Sequence, residues 1–530
     1  MIEDIKLTSL KAPFSKWMVM DKWVHLIPEQ YTPFAKNIRI RNSTTTKRKG
    51  YTRVVKKGQY TDTVDGDTVT VDVTDKFIDN MISDGVYLYA VCDGKLYKVD
   101  FNDEQTMTEY GSFSLDSDVS VLRYWKYLYF LSENTAKGYY VDTSTGTWGS
   151  LTVTDSAYFR FGEVYKQNVY LAWWKDNSNI LYMSRAGSKA NPTNILDFDG
   201  TWSDALYFKS KIMWLAATRE QLFVFTEDSI EIISYSESWG VLTMISVPIA
   251  WNNQPANPRM VVKTDDLVFF WTKDNQMKSL NYMQWVTERV VGDVSHRPNL
   301  SIKDFTDTLD EDQSTSFGYY DRAEKTIHWH LKQKWEPMPN IVLVYDMNTD
   351  GFFVDTNKFY KCAASHNNKY YAGSSFGTII YQDNNGTTDD GTPIEWQRKS
   401  ALLSVWSPDY RKEFRQVNIY WERADWVDID VQVLVDGRVA FSGTIEWSGG
   451  TISGTASDML GNDMVAFDTE EWGLHPFEYV ISRWNMRARG KKIQVLFNWT
   501  SVGDFCLSWM EIWYKDLYDN NNSDKAKPNS

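Results

Sequence analysis

Two histidines one residue apart are the side chains in this sequence best placed for specific chemistry. His328 and His330 flank Trp329 in an apolar stretch, and residues i and i+2 of a β-strand lie on the same face. Two imidazoles on one face can hold a metal ion such as zinc, which normally takes further ligands. No third ligand is identifiable from the sequence. Two outward-facing polar residues on a strand are therefore the commoner explanation.

Acidic residues form two clusters that offer the oxygen ligands preferred by calcium. One contains Asp62, Asp65 and Asp67, and the other runs from Asp304 to Asp312. Neither matches the EF-hand loop with its terminal glutamate, so solvated loops are the better interpretation. A glycosidase needs two carboxylates that face each other across the sugar. Among 70 acidic residues no such pair can be singled out.

Three signatures of other enzyme classes are missing from the sequence. There is no phosphate-binding G-x-x-x-x-G-K-[ST] loop, no H-E-x-x-H zinc motif and no sialidase-type S-x-D-x-G-x-x-W repeat. The three cysteines, Cys92, Cys362 and Cys506, are far apart and predict neither a disulfide framework nor a zinc site. No motif predicts a cofactor or a metal. We therefore expect that this protein is not an enzyme.

The composition predicts a nearly all-β protein. The chain has 24 Trp, 31 Tyr and 26 Phe among 530 residues, and aromatic side chains fit the pleated surface of a sheet. No apolar run approaches the roughly 18 residues of a membrane-spanning helix, so membrane insertion is not expected. The opening residues 1–7 lack the basic and apolar regions of a signal peptide. We expect a soluble protein made inside the cell.

A strand–turn–strand unit recurs between residues 60 and 385. The gaps between equivalent positions are 40, 42, 53, 46, 59 and 43 residues, similar to the roughly 40–50 residues of a four-stranded propeller blade. Unrelated hairpins in sandwiches are the alternative. We predict a β-propeller of about seven blades, in which neighbouring blades bury the aromatic side chains. The seven positions are Tyr87, Tyr127, Val169, Leu222, Val268, Ile327 and Tyr370.

The sequence changes character after Tyr381. A polar link, Asp383–Pro393, precedes longer strands in which apolar and polar residues alternate, as in an antiparallel β-sandwich. Residues 386–518 are predicted to form this sandwich, and the polar residues 519–530 a disordered tail. The strands are expected at 413–422, 427–435, 492–499 and 508–514.

Residues 1–59 are predicted to be an extended basic arm, partly packed on the body. Nine basic and no acidic residues lie between Ala35 and Gln59, which leaves −23 on the rest of a chain whose net charge is −14. The arm is expected either to contact phosphates or to neutralise an acidic face of its own or an adjacent subunit. The second hypothesis is favoured, because an acidic body repels a nucleic-acid duplex.

Four short segments, taken together, resemble a known family. They are Asn37–Tyr51, Ser184–Phe198, Leu222–Ile233 and Trp396–Val417. In this order they are similar to phrases in the tail nozzle (tubular) proteins, and the related head-completion proteins that stabilise packaged DNA, of short-tailed bacteriophages. Two positions depart from the family pattern: Ser43 replaces a glycine, and Asn191 stands where the family often has aspartate.

The resemblance implies a structural subunit of the virion tail, made in the host cytoplasm. Such proteins typically assemble as six copies into a ring below the portal or adaptor that encloses the DNA exit channel. The implied partners are further copies of the chain, the adaptor, and tail fibre or tail tip proteins. Genomic DNA would pass non-specifically, because an acidic wall does not bind phosphates tightly. The expected assembly contacts are Lys36, Arg39, Arg41, Lys47, Arg48 and Lys49.

Two alternatives come from other functional classes. A carbohydrate- or receptor-binding propeller at the tail tip would explain exposed tryptophans such as Trp173, Trp174 or Trp447. Packing within blades is the ordinary explanation for such residues. A glycoside hydrolase is the second alternative, and it would lose its activity on a single carboxylate substitution.

Overall fold

The architecture is that of a computed structural model of the chain. It describes residues 8–13, 32–41, 44–55, 57–64, 67–73, 77–101, 106–111, 113–115, 119–132, 138–151, 159–166, 168–173, 178–184, 205–219, 221–238, 241–251, 254–280, 291–293, 302–403, 411–422, 428–448, 451–453, 479–501 and 506–517.

Strands from the N-terminal part of the chain join sheets built by residues hundreds of positions away. They are β1 Thr8–Pro13, β2 Phe34–Lys36, β3 Ile38–Arg41, β4 Thr44–Lys47, β5 Thr52–Val55, β6 Lys57–Val64 and β7 Asp67–Val73.

The middle of the chain forms seven four-stranded blades. Three strands of the last blade come from this region, and β5 supplies the fourth. The strands are, in blade 1, β8 Ile78–Ser83, β9 Leu88–Cys92, β10 Lys95–Val99 and β11 Thr106–Gly111; in blade 2, β12 Val119–Tyr124, β13 Tyr127–Ser132, β14 Tyr139–Asp142 and β15 Thr147–Ser150; in blade 3, β16 Phe159–Tyr165, β17 Asn168–Trp173, β18 Ile180–Met183 and β19 Ala205–Tyr207; in blade 4, β20 Ile212–Ala217, β21 Leu222–Thr226, β22 Ser229–Ser238 and β23 Val241–Trp251; in blade 5, β24 Val261–Lys263, β25 Val268–Trp271, β26 Met277–Leu280 and β27 Val291–Asp293; in blade 6, β28 Phe317–Asp321, β29 Thr326–Leu331, β30 Ile341–Asp346 and β31 Gly351–Thr356; and in blade 7, β32 Tyr360–His366, β33 Lys369–Ser374 and β34 Ile380–Asp383. A 3-10 turn, Pro258–Met260, precedes β24, and the short helix α1, Lys303–Thr306, precedes β28.

Apolar clusters between successive blades close these sheets into a ring. Each of the seven interfaces contains an apolar cluster, and the one between blades 5 and 6 continues into the core of the C-terminal strands. Between blade 7 and blade 1, Val55, Ile78 and Ile380 meet at 0% exposure. A blade has two apolar faces, and only radial neighbours on both sides can cover them. The chain is therefore a seven-bladed β-propeller, which confirms the predicted fold class.

The predicted repeat has the correct register. All seven anchor positions lie at, or within one residue of, the first residues of the second strand of successive blades, from Tyr87 before β9 to Tyr370 in β33. Hairpin turns within the repeat adopt the left-handed backbone that such turns require. The φ angles of Asp93 and Gly94 are 50° and 76°, and those of Asn367 and Asn368 are 50° and 59°.

The C-terminal strands form the predicted sandwich. One sheet pairs β4, β43, β37 and β41, and the other pairs β36, β42, β38 and β39, with a common apolar core. The four predicted strands correspond to β37, β38, β42 and β43. The strands are β35 Thr388–Asp389, β36 Thr392–Lys399, β37 Lys412–Glu422, β38 Asp428–Val435, β39 Arg438–Ser448, β40 Thr451–Ser453, β41 Tyr479–Gly490, β42 Ile493–Ser501 and β43 Cys506–Asp516.

Propeller and sandwich share a sheet through the N-terminal segment. Strand β2 lies between β31 of blade 6 and β36 of the sandwich, so that one sheet of eleven strands runs through both. Strands β1, β3 and β4 belong to the other sandwich sheet. The described part of the predicted arm is thus built into the body and does not extend from it, because its backbone groups complete ladders on both sides. The predicted tail, residues 519–530, lies outside the described residues.

Candidate functional site

The N-terminal segment 34–55, hereafter the clamp, carries two arginines into the interior of the chain. The guanidinium of Arg39 donates to both carboxylate oxygens of Asp355, at 2.8 and 2.7 Å. Strand β3 places Arg39 against the end of β31, and both side chains are buried. Paired planar groups of this kind are among the strongest polar contacts in proteins. This pair therefore fixes the clamp to blade 6.

Arg48 makes the second arginine contact of the clamp. It donates to both oxygens of Asp389, at 2.8 and 2.6 Å, and to the carbonyl of Thr356 at 2.9 Å. Burial works to lower the pKa of Arg48, but Asp389 and Asp355 outweigh it and raise the pKa above its ordinary value. The close approach of the chain here requires glycine, because a β-carbon on Gly50 would lie 1.8 Å from the Thr388 carbonyl oxygen.

Lys358 extends these pairs into a larger ion cluster, which we define as Arg39, Arg48, Asp355, Lys358, Asp383 and Asp389. Its ammonium lies 2.9 Å from Asp383 and 3.7 Å from Asp355. Burial alone would raise the pKa of Asp355, but the cations Arg39, Lys358 and Arg48 hold it well below its usual range. The Asp355 carboxylate is therefore ionised within the cluster. Its members come from the clamp, blades 6 and 7 and the start of the sandwich.

The six predicted assembly residues fall into two groups. Arg39, Lys47 and Arg48 are buried, and Lys47 donates to the Thr387 carbonyl at 2.8 Å. Their partners include groups of their own chain, as in the hypothesis that the arm neutralises an acidic face of its own subunit. A contact of these three residues with another subunit stays a prediction. Lys36, Arg41 and Lys49 are more exposed: Lys36 pairs with Glu395 at 3.0 Å, and the other two pair with Glu324. For these three the assembly role remains a prediction.

Asp355, Lys358 and Asp383 were not predicted from the sequence to be functional residues. They stand at the ends of apolar blade strands, where a charged side chain ordinarily faces solvent, and no spacing pattern distinguishes them from other surface charges. The sequence offers one indirect signal for them. The basic segment has no acidic residues nearby in the sequence, so its acidic partners have to lie elsewhere.

The two histidines of the metal hypothesis point inward. His328 and His330 are 1% and 0% exposed, and the ring of His330 stacks on Phe317 with centroids 4.5 Å apart. The outward-facing alternative is thus wrong, because a middle strand of a blade is covered on both faces. His328 shares a hydrogen bond with Thr326 at 2.9 Å. Among the described residues, no group of three possible metal ligands is found.

Burial keeps both histidines neutral. Burial and nearby Lys358 lower the pKa of His330 to about 3, and the same two causes lower the pKa of His328. An unfolded histidine takes up a proton near pH 6.5, whereas the folded one does not. The stability of the fold is therefore complete above this pH and falls as the pH decreases, by about 1.4 kcal/mol per pH unit for each such histidine.

We expect this slope to decrease in a His330→Phe variant, because phenylalanine keeps the ring stack and has no proton to take up. Urea unfolding between about pH 6 and pH 4.5 should show a slope smaller by about 1.4 kcal/mol per pH unit. Asp355 and Asp383 stay ionised across this window in both states, so they do not contribute. His366 provides the control. Burial lowers its pKa as well, but Asp84 opposes this shift, so its replacement should change the slope less. An unchanged slope in His330→Phe would contradict the assignment.

Other residues singled out from the sequence have ordinary explanations or lie outside the description. Lys332 lies 3.3 Å from both Asp310 and Asp312, so an ammonium occupies the position expected for calcium. The side chains of Asp62, Asp65, Asp67, Trp173, Trp174 and Trp447 are outside the described residues. A G-x-S-x-G pattern occurs at Gly373–Gly377, but it connects two strands, unlike the strand–turn–helix of a hydrolase.

A cavity of about 500 Å³ lies on the propeller axis. Inner strands of all seven blades line it. Among its described lining residues the cations are Arg123, Arg160, Arg259 and Lys263, and the one carboxylate is that of Glu163. A second cavity of about 420 Å³, which we call the mouth, shares Arg160 and Arg259 with the first. The axis is therefore cationic in a protein whose net charge is −14.

In the described part of the chain, no helix is long and apolar enough to cross a membrane. No family model and no curated protein matches the sequence.

Several solved structures resemble the chain at low identity. The β-propeller domain of Swd1 from Myceliophteria thermophila is 11% identical, with a TM-score of 0.40, over 58% of this chain and 98% of that domain. Hsv2 from Kluyvelomyces marxianus is 11% identical, with a TM-score of 0.33, over 62% and 94%. PorZ, a type-IX secretion component of Porphyromonas gingivalis, is 10% identical, with a TM-score of 0.36; the match covers 72% of this chain but only 46% of PorZ. The propeller assignment itself rests on the seven sheets and interblade clusters of this chain.

Proposed function

We propose that this protein is a structural subunit of a bacteriophage tail, which assembles into a ring around the DNA exit channel. The resemblance of four ordered segments to the nozzle proteins of short-tailed phages suggests this role. The observation that best supports it is the shared eleven-stranded sheet, which joins propeller and sandwich without a separate linker. A ring that holds against internal pressure needs subunits whose parts do not move independently.

Charge also supports a passage for DNA. The chain has a net charge of −14, and the basic side chains of Arg39 and Arg48 are neutralised inside the fold. A wall that repels phosphates allows a duplex to slide, because tight binding of DNA depends on contacts between cationic groups and the backbone. Three other clamp cations, Lys36, Arg41 and Lys49, pair with Glu395 or Glu324 nearer the surface, where they can also contact a neighbouring copy.

Electron microscopy of the purified chain tests the proposal directly. We expect closed rings, typically of six copies, in negative stain, and a corresponding mass from light scattering after gel filtration. Contacts between one patch and a different patch give a closed ring when the rotation between neighbours closes, and an open filament when it does not. The proposal requires the closed ring. A folded protein that stays monomeric at every concentration would contradict the proposal.

Charge reversal at the exposed clamp residues should weaken the ring. In an Arg41→Glu, Lys49→Glu variant we expect fewer rings, while the free energy of unfolding of the subunit should change by only about 1 kcal/mol, since these side chains are 45% and 51% exposed. The same reversal at Lys369 and Arg438, which are exposed in hairpins, serves as the control and should leave rings intact. Normal ring yield in the first variant would remove these residues from the interface.

A further inference from the structure

The mouth of the axial cavity has the charge and shape of a binding site. The proposed assembly of subunits into a ring gives this cavity no role. It is lined by Arg160, Arg259 and Lys361 and by no carboxylate among its described residues. The hydroxyls of Ser314, Thr315 and Ser375 and the amide of Asn257 add hydrogen-bonding groups. Concave sites with low-dielectric walls focus the field of such charges and attract ligands of opposite sign.

Aromatic rings hold two of these cations in place. The guanidinium of Arg160 lies 5.1 Å from the ring centre of Phe161, and that of Arg259 lies 5.6 Å from the ring of Phe317. Arg259 also donates to the Lys361 carbonyl. In the described part of the chain no carboxylate lies within ion-pair distance of Arg259, whereas Lys361 pairs with Asp79 at 2.6 Å. Arg259 is thus oriented without an ion-pair partner among the described residues.

The rim of the mouth is apolar and fixed. Met338 and Pro339 line the mouth and belong to the loop between β29 and β30. The same loop presents Trp335, which is 96% exposed and has a φ of 74°. A bulky residue rarely adopts this conformation, and here hydrogen bonds on either side maintain it, among them Lys334 N–H to the Thr308 carbonyl at 3.0 Å.

A second exposed aromatic residue stands on the neighbouring blade. Phe376 is 59% exposed and directly follows Ser375, which lines the mouth. Its ring contacts Phe359, with centroids 5.4 Å apart. Exposed aromatic anchors beside a desolvated pocket are typical of the few residues that dominate a protein interface.

We propose that the mouth binds an acidic peptide segment of a partner protein. Carboxylates of the peptide would contact Arg259, Arg160 and Lys361, and an adjacent apolar side chain would pack on Trp335 and the Met338–Pro339 loop. Three cations beside methionine and proline favour an acidic peptide with apolar side chains over a neutral sugar, whose hydroxyl groups carry no charge. The inference rests on this cavity alone and does not depend on ring assembly.

Fluorescence anisotropy with a labelled hexapeptide of alternating glutamate and leucine tests the proposal on the full chain. We expect binding that weakens at high salt and is lost when glutamine replaces glutamate. Arg259→Gln should reduce affinity by about tenfold or more, as for loss of one charge-assisted hydrogen bond. Trp335→Ala should reduce it about as much. Arg438→Gln, in the exposed hairpin of the sandwich, is the matched control and should bind as the natural protein does.

Thermal unfolding identifies any variant that fails to fold. If Arg259→Gln does not fold, Trp335→Ala still tests the proposal, because Trp335 is almost wholly exposed. Equal binding of the glutamine peptide, or unchanged affinity in both variants, would overturn the proposal. Binding of an acidic oligosaccharide such as oligogalacturonate, with none of the peptide, would also overturn it and would assign the mouth to glycans.

Discussion

Replacing Arg48 by methionine is expected to lower the free energy of unfolding of the single subunit by about 3–5 kcal/mol. Methionine keeps much of the apolar volume but leaves the Asp389 carboxylate, which is 4% exposed, without its bidentate partner. A buried charge without a partner is costly, because the interior cannot replace the water it has lost. Chemical denaturation monitored by tryptophan fluorescence measures the effect.

Two further variants separate this role from a contact between subunits. Lys36→Met removes an ion pair whose carboxylate, on Glu395, is 60% exposed, and it should change the free energy of unfolding by about 1 kcal/mol at most. Arg48→Met combined with Asp389→Leu removes both charges and should recover part of the loss. If Arg48→Met leaves the subunit as stable as before and only reduces ring yield, Arg48 is an assembly contact as first expected.

Placing an aspartate at Val55 is expected to open the propeller. Val55 is 0% exposed and packs with Ile78 and Ile380 where blade 7 meets blade 1. Strand β5 is the outer strand of blade 7, but in the sequence it precedes all the other blade strands. Its pairing with β34 therefore closes the propeller. A carboxylate here loses the packing of valine and must be desolvated or protonated. We expect the free energy of unfolding to fall by about 4 kcal/mol or more.

Thr52 lies on the same strand but is exposed, and Thr52→Asp is therefore the matched control. It should change stability by about 0.5 kcal/mol. Limited proteolysis adds a local measurement, because an open propeller should be cut first between blades 7 and 1. If the Val55→Asp variant is as stable as the natural protein, closure of the propeller does not depend on β5.

The repeat and the sandwich were predictable because they arise from local patterns. Each blade corresponds to one sequence repeat, an apolar strand followed by a turn. Positions such as Tyr127 and Leu222 identify the second strand of their blades from the local sequence alone. Turn residues such as Asp93 and Gly94 act through their own backbone preferences. Alternating residues in 428–435 similarly predict a strand with one buried face.

Contacts across hundreds of residues were decided only by the tertiary structure. The sequence determined that the segment around Arg39 and Arg48 is basic and that its partners must be acidic. It could not show that Asp355 and Asp389, more than 300 positions away, are those partners. On charge alone, many other carboxylates of the chain could pair with these arginines. The inward direction of His328 likewise depends on the neighbouring blade that covers it, and the cationic axis exists only because seven distant strands meet around one line.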